Sequence, residues 1–122
     1  MEFTKEELKD HLHRQGPVWL TFRDLHKANL NNANLVGANL AGANLADAYL
    51  NKANLYNANL EAANLSFANL CWADLRHANL MGANLNGAYL DKADLRKAIY
   101  NKNTIWPEGF DPKKAKAKLI KE

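Results

Sequence analysis

Hydrophobic and polar positions recur in a five-residue pattern over residues 23–102. A leucine occupies every fifth position from 25 to 95, and Tyr100 takes the next such position. An alanine lies two residues before each of these positions from 28 to 98. The residue between them is Asn or Asp in every repeat except three, which carry Tyr49, Tyr89 and Ile99. The repeat is therefore roughly Ala-Asn-Leu-x-x, where x is variable.

This period fits neither a regular helix nor a flat strand. On an α-helix, five residues advance by about 500°, so successive leucines would not share a face. On a strand the side-chain period is two, so an odd repeat would move each leucine to the opposite face. The leucines share one side only if the chain bends once in each repeat. Four bends of about 90° then close a square coil of about twenty residues, and stacked coils lie about 4.8 Å apart.

Alanine and leucine are expected to fill the interior of these coils. They lie two residues apart and so face the same side of a short extended piece. The Asn or Asp between them should face outward or turn back to the local backbone. The last two positions form the corner, where Gly or Asn in the second position indicates a type II turn with positive φ at its third residue. The predicted core ladder consists of Leu45, Leu50, Leu55, Leu60, Leu65, Leu70, Leu75 and Leu80.

The alanine and leucine columns, each held for fifteen repeats, resemble those of pentapeptide-repeat proteins of the cyanobacterial type. The tail at 103–112 is also similar to the segment that closes many cyanobacterial members. The resemblance implies an all-β solenoid, a right-handed quadrilateral β-helix of about four coils. It implies no single activity. Some members mimic DNA and bind DNA gyrase or topoisomerase IV.

Short α-helical caps are expected at both ends, which divides the chain into an N-terminal capping helix (1–17), the β-helix (18–105) and a C-terminal cap (106–122). Thr4 as N-cap and Glu7 three residues later predict a helix at 3–16 that covers the first coil. Residues 18–22 form either a degenerate first pentad or a lead-in strand.

The C-terminal cap is predicted to contain a short helix at 112–121. Asp111 followed by Pro112 is typical of a helix start, with a cap residue before an N1 proline. Ile105 still falls in the leucine register. The helix is expected to be a lid on the last coil. If it leaves that edge bare, a homodimer through the C-terminal end is the alternative.

Composition indicates a protein without a strong electrostatic role. The formal net charge is +3 over 122 residues. A lone cysteine, Cys71, excludes an internal disulfide and favours a reducing compartment. The N-terminus is charged and no run approaches 18 apolar residues. We therefore expect a cytoplasmic protein with no membrane partner.

The sequence contains no motif that predicts catalysis. An interior of alanine and leucine leaves no concavity in which polar groups converge, so we expect no enzyme, no cofactor and no metal site. The best surface feature is aromatic and basic. Its candidate interaction residues are Tyr56, Phe67, Trp72, Arg76, His77 and Arg96. The alternative is that broad side chains only shield neighbouring backbone, and Cys71 is expected to be an incidental surface thiol.

These features favour a rigid scaffold that binds an unidentified protein partner. A DNA mimic that binds gyrase or topoisomerase IV is the alternative implied by the family. That mechanism needs an acidic, duplex-sized rod with projecting loops in its protective members, whereas these repeats carry a net positive charge and have no insertions. Direct binding of nucleic acid is not expected, because the basic residues are few and dispersed.

Overall fold

The computed structural model describes residues 18–121, and its regular pentads place leucine and most of the alanines inside. All eight leucines of the predicted core ladder, at every fifth position from 45 to 80, have no exposed surface. The alanines that precede them are buried to at least 99% from 38 to 83. Large and small side chains thus alternate in one continuous core.

A turn with positive φ follows each leucine. The N–H of Ala48 donates to the carbonyl of Leu45 at 3.1 Å, and the same bond recurs along the chain. The second corner residue has φ near +60°, for example 61° at His77 and 71° at Gly87, while the first corner residue is not in this region. This is the type II arrangement expected from Gly and Asn at that position.

The middle residue of each pentad faces outward and bonds to its own corner. The side-chain oxygen of Asn44 accepts the backbone N–H of Ala46 at 3.1 Å, and Asp74 accepts that of Arg76 at 3.1 Å. This Asx turn explains why Asn and Asp dominate the position, because it satisfies a corner N–H that has no ladder partner.

Successive coils are bonded through residues twenty apart. Asn44 pairs with Asn64 in parallel orientation, and the same pairing runs from Trp19 to Ile99. The N–H of Leu45 donates to the carbonyl of Asn64 at 2.7 Å, and the N–H of Asn64 donates to that of Ala43 at 2.9 Å. One coil therefore contains four pentads. Its four faces carry leucines at 25, 30, 35 and 40, and each later coil repeats them.

The described chain begins with a pentad that fits this register. Val18 and Leu20 are buried in the alanine and leucine positions, while Trp19 between them is exposed and pairs with Asn39. Residues 18–22 are therefore a degenerate first pentad. The predicted N-terminal helix at 3–16 lies outside the described residues.

The register slips by one residue after the last regular pentad. Ile105 was expected in the leucine position, and this prediction is wrong: Ile105 pairs with Asn84, 21 residues earlier, and is 50% exposed. One extra residue in the corner at 101–103 moves it to the outward position, because a one-residue shift exchanges the two faces of an extended chain. Trp106 packs against the core instead.

The predicted helix at 112–121 is also wrong. Residues 112–116 form turns, and a short strand β2 (Lys118–Leu119) follows. It pairs in parallel with β1 (Ile99–Tyr100), the last regular strand of the fourth face. Asp111 does accept the N–H groups of Lys113 and Lys114, as a helix N-cap would. A ten-residue helix is marginal, however, and the bare edge of β1 provides ladder hydrogen bonds that outweigh its propensity.

Three aromatic rings close this end of the core. Trp106 meets Tyr100 edge to face with ring centroids 5.4 Å apart, and it stacks on Phe110 at 5.1 Å. The C-terminal cap is thus an aromatic stack and an added strand.

Candidate interaction site

Four of the six candidate interaction residues meet at one corner. Tyr56 and Arg76 follow the leucines of the third face in successive coils, and Arg96 is next in the column. His77 occupies the second position of the same corner as Arg76. We call these four residues the arginine corner.

The two arginines are held by aspartates of their own pentads. Arg76 donates from Nε and Nη2 to the two carboxylate oxygens of Asp74 at 2.9 and 2.8 Å. Arg96 makes the same fork with Asp94 at 2.9 and 2.7 Å. Arg76 also lies 3.9 Å from the carboxylate of Asp94, which links the two pairs. Bidentate geometry fixes the planes of both guanidinium groups.

The hydrogen bonds from the arginines lower the pKa of both carboxyl groups. Arg76 lowers the pKa of Asp74 chiefly through its side-chain hydrogen bonds, and Arg96 does so for Asp94. In both cases partial burial opposes the shift without reversing it. The carboxylates therefore stay charged well into the acid range, and the arginines keep their partners at neutral pH.

Tyr56 completes the corner from the preceding coil. The Arg76 guanidinium carbon lies 5.2 Å from the centre of the Tyr56 ring, within cation–π range. The His77 ring meets Tyr56 edge to face at 5.4 Å. A shallow cavity of about 190 Å³ lies beside them, lined by Arg76, His77, Arg96 and Lys97. Tyr56 therefore contacts both Arg76 and His77.

Phe67 and Trp72 lie on two other corners of the coil and do not join the site. Phe67 is 54% exposed, but its ring covers Gly87 in the next coil so closely that a Cβ built on the glycine would overlap it. Phe22 covers Gly42 in the same way. Phe67 therefore shields backbone, which was the alternative to an interface. Trp72 is 60% exposed.

Sequence reasoning missed the aspartates and Lys97. The signal was present, because Asp replaces Asn in the middle position of the two pentads that carry arginine next in the corner, Ala73-Asp74-Leu75-Arg76 and Ala93-Asp94-Leu95-Arg96. On a flat strand, the side chains of Asp74 and Arg76 would lie on the same face but would not form this bidentate pair. The turn between them is what aims the arginine back at the carboxylate.

Other candidate chemistry is not assembled. Within residues 18–121, no group of three or more His, Cys, Asp or Glu side chains is arranged to hold a metal ion. Cys71 is half-buried, and its N–H donates to the side chain of Asn69 at 3.0 Å. The described chain has no helix of the length and apolarity needed to cross a membrane.

The geometry defines an all-β solenoid of five-residue repeats with an ordered arginine corner on its surface. Comparison with known families gives the class a name. The family model for pentapeptide repeats, which describes eight copies of the repeat, matches residues 24–62 and again residues 63–99, and the chain belongs to this family. The structural neighbours of the chain are pentapeptide-repeat proteins, which form right-handed β-helices.

Solved structures of cyanobacterial members have the same fold. The chain is 44% identical to alr5209, a pentapeptide repeat protein from Nostoc PCC 7120, with 84% of each chain covered and a TM-score of 0.82. It is 40% identical to Rfr23 from Cyanothece 51142, with 77% of this chain and 67% of that chain covered and a TM-score of 0.52. No match was found among curated proteins.

Proposed function

We propose that this protein is a non-enzymatic interaction module that binds a partner protein through the arginine corner. The observation that carries the proposal is the fixed orientation of Arg76 and Arg96, each forked to an aspartate and one stacked on Tyr56. Exposed arginine beside an aromatic ring is the composition that interfaces favour.

The fixed geometry lowers the cost of binding. A free arginine loses rotamer freedom when a partner immobilises it, at about 0.5–1.5 kcal/mol for each side chain. Arg76 and Arg96 are ordered before contact, so less of that entropy remains to be lost. The forks use Nε and Nη2, which leaves Nη1 of each guanidinium for a partner.

The corner fits a partner surface that carries carboxylate groups. Lys97 and His77 extend the two arginines along the same edge and line the shallow cavity with them. Asp74 and Asp94 neutralise the guanidinium charges in part, so binding should depend on oriented hydrogen bonds as well as on charge. A rigid stack of coils holds this edge in place, which is the requirement for a scaffold.

The DNA-mimic function is not favoured by this surface. A mimic must present carboxylates where duplex DNA has phosphates, whereas this corner presents guanidinium and ammonium groups. A supercoiling assay with purified gyrase separates the two functions. Inhibition of supercoiling, or protection from a quinolone, would support the mimic and contradict a role limited to the arginine corner.

The test is capture of partners by the full chain and by matched variants. We expect the amount of partner protein captured to be at least tenfold lower with the R76A/R96A double variant than with the wild type. The K113A/K114A variant should capture as much as the wild type. The control also removes two exposed positive charges, at the C-terminal turn. Circular dichroism would establish that all three chains fold. Equal capture by the wild type and R76A/R96A would refute the proposal.

A further inference from the structure

Among residues 18–121, the second face of the last coil has a strand edge without a hydrogen-bonded partner strand. One coil earlier, the N–H of Leu70 donates to the carbonyl of Tyr89 at 2.8 Å, and that of Trp72 donates to Asp91 at 3.0 Å. The corresponding N–H groups of Leu90 and Lys92 have no backbone acceptor within residues 18–121. Strand β2 extends only the fourth face, so it does not cover this edge.

A groove lies along the open edge. Residues 107–110 run beside residues 88–91 but form their own turn, in which the N–H of Phe110 donates to the carbonyl of Pro107 at 3.1 Å. The space between the two segments has a volume of about 390 Å³. We call it the end groove. Its apolar lining includes Leu90, Pro107 and Phe110.

Among the described residues, the charged ones that line the end groove are both acidic. Asp91 lies on the strand side and Glu108 on the turn side, and both are exposed. Neither takes part in an ion pair with another residue of the described chain. Two carboxylates without an ion-pair partner therefore lie beside the apolar lining of the end groove. The net charge of the chain as a whole is positive.

We propose that the end groove binds an extended peptide that carries a lysine or arginine next to an apolar residue. The peptide adds as a parallel strand to residues 88–92. Its carbonyl groups accept the N–H groups of Leu90 and Lys92, and its own N–H donates to the carbonyl of Ala88. Because side chains alternate along a strand, the apolar residue enters the groove while its basic neighbour reaches the carboxylates of Asp91 and Glu108.

Charge distinguishes this occupant from a second copy of the chain. A two-fold dimer through the C-terminal end would place the same surface on both sides of the interface. A dimer that paired the two end grooves across this axis would bring Asp91 and Glu108 of one copy close to the same carboxylates of the other, which is repulsive. A basic peptide pairs with them instead. The end groove is separated from the arginine corner by the third face and has the opposite charge, so variants at one site test it independently of the other.

The experiment is an NMR titration of the full-length, nitrogen-15-labelled protein with a defined peptide. The probe is the blocked hexapeptide Ser-Val-Lys-Val-Thr-Ser, and two companions are the same peptide with glutamate for lysine and the same peptide with N-methylated valines. With the lysine peptide, we expect shifts confined to residues 88–92 and 107–110. At ten times Kd, exchange of the Leu90 and Lys92 amides should slow roughly tenfold.

Variants make the result decisive. The D91K/E108K variant should lose the lysine peptide and gain the glutamate peptide, whereas E61K, a change at an exposed acid on another corner, should bind as the wild type does. The N-methylated peptide should bind at least tenfold more weakly. No shift at 1 mM (roughly the weakest Kd of interest), no effect of methylation, or the same affinity in D91K/E108K would overturn the proposal. Protection of Leu90 and Lys92 without peptide, in step with a dimer seen by ultracentrifugation, would overturn it in favour of a second copy.

Discussion

Gly87 and Gly82 provide a matched pair that measures what an exposed aromatic ring contributes to this fold. Both glycines occupy the second corner position, with φ of 71° and 70°. Their surroundings differ. A Cβ on Gly82 would meet only the backbone of Ala62 at 3.8 Å, whereas one on Gly87 would overlap the ring of Phe67.

The cost of alanine at either position begins with the backbone. Placing an L-residue at positive φ destabilises the folded state by about 1–2 kcal/mol. Replacing glycine offsets about 0.4–1 kcal/mol of this, because it reduces the conformational entropy of the unfolded chain. Ala62 already occupies this position with φ of 58°, which shows that the geometry accepts alanine. We therefore expect Gly82→Ala to destabilise the protein by at most about 1.5 kcal/mol.

Gly87→Ala carries the same backbone cost and also displaces a ring. Phe67 is 54% exposed, so about half of its surface is covered in the native state. Half of a phenylalanine side chain is roughly 80–100 Å², which at about 25 cal/mol per Å² corresponds to about 2 kcal/mol. Because the ring keeps some contacts after it moves, we expect Gly87→Ala to cost about 1–2 kcal/mol more than Gly82→Ala.

Urea unfolding followed by circular dichroism measures this difference. The double variant F67A/G87A completes the cycle: without the ring, the cost of Gly87→Ala should fall to that of Gly82→Ala. Equal m-values across the set would confirm that the variants unfold in the same way. Costs that agree within about 0.5 kcal/mol for the two glycines, or additivity in the double variant, would refute the packing of Phe67 on Gly87.

Three further predictions concern the end of the stack and the arginine corner. Ile105→Asn should lower the free energy of unfolding in urea by about 1 kcal/mol, because the side chain is half exposed; Leu85→Ala, at the fully buried position after its bridge partner Asn84, should cost about 3 kcal/mol. Asn101→Ala should cost about 1–3 kcal/mol in the same assay, because it leaves the N–H groups of Gly82 and Asn103 without the side-chain oxygen that accepts both. Because the arginines lower the pKa of Asp74 and Asp94 from 3.8, their stabilisation is present above that value and is lost as pH falls through the lowered pKa values. The free energy of unfolding of the wild type in urea should therefore fall more than that of D74N/D94N between about pH 5 and pH 2, by no more than about 1 kcal/mol because the carboxylates are partly exposed. Parallel pH profiles would contradict the role of the forks.

The regular part of the fold was predictable because one short-range rule repeats without interruption. The five-residue spacing of leucine forces one bend in each repeat, and the glycines at 37, 42, 82 and 87 mark where positive φ occurs. Burial and stacking follow from those two facts. The identity of the second corner residue mattered less than expected, since Lys52, Trp72 and His77 adopt positive φ as well. The fourteen bridges between coils within residues 18–121 outweigh the local preference of these side chains for negative φ.

The end of the chain was mispredicted because local signals there compete with a tertiary edge. Asp111-Pro112 followed by lysine and alanine has the composition of a helix start, and Asp111 makes the bonds of a cap. The same bonds also suit a turn. The open edge of β1 then captures Lys118–Leu119. At Ile105, one extra residue in the preceding corner moved the side chain from the inward to the outward position. The sequence does not mark this insertion, because the residues of the corners vary from one repeat to the next.

The arginine corner was visible only in part, because it depends on contacts that no local pattern encodes. The column of Tyr56, Arg76 and Arg96 follows from the twenty-residue coil, so a correct register predicts it. The bidentate pairs do not follow from the register. They form because the turn directs each arginine side chain towards the aspartate two residues before it. In a solenoid whose interior is fixed by alanine and leucine, the outward and corner positions vary without cost to the core. Departures from the repeat at those positions, such as Asp for Asn beside Arg, are therefore the part of such a sequence that can record a function.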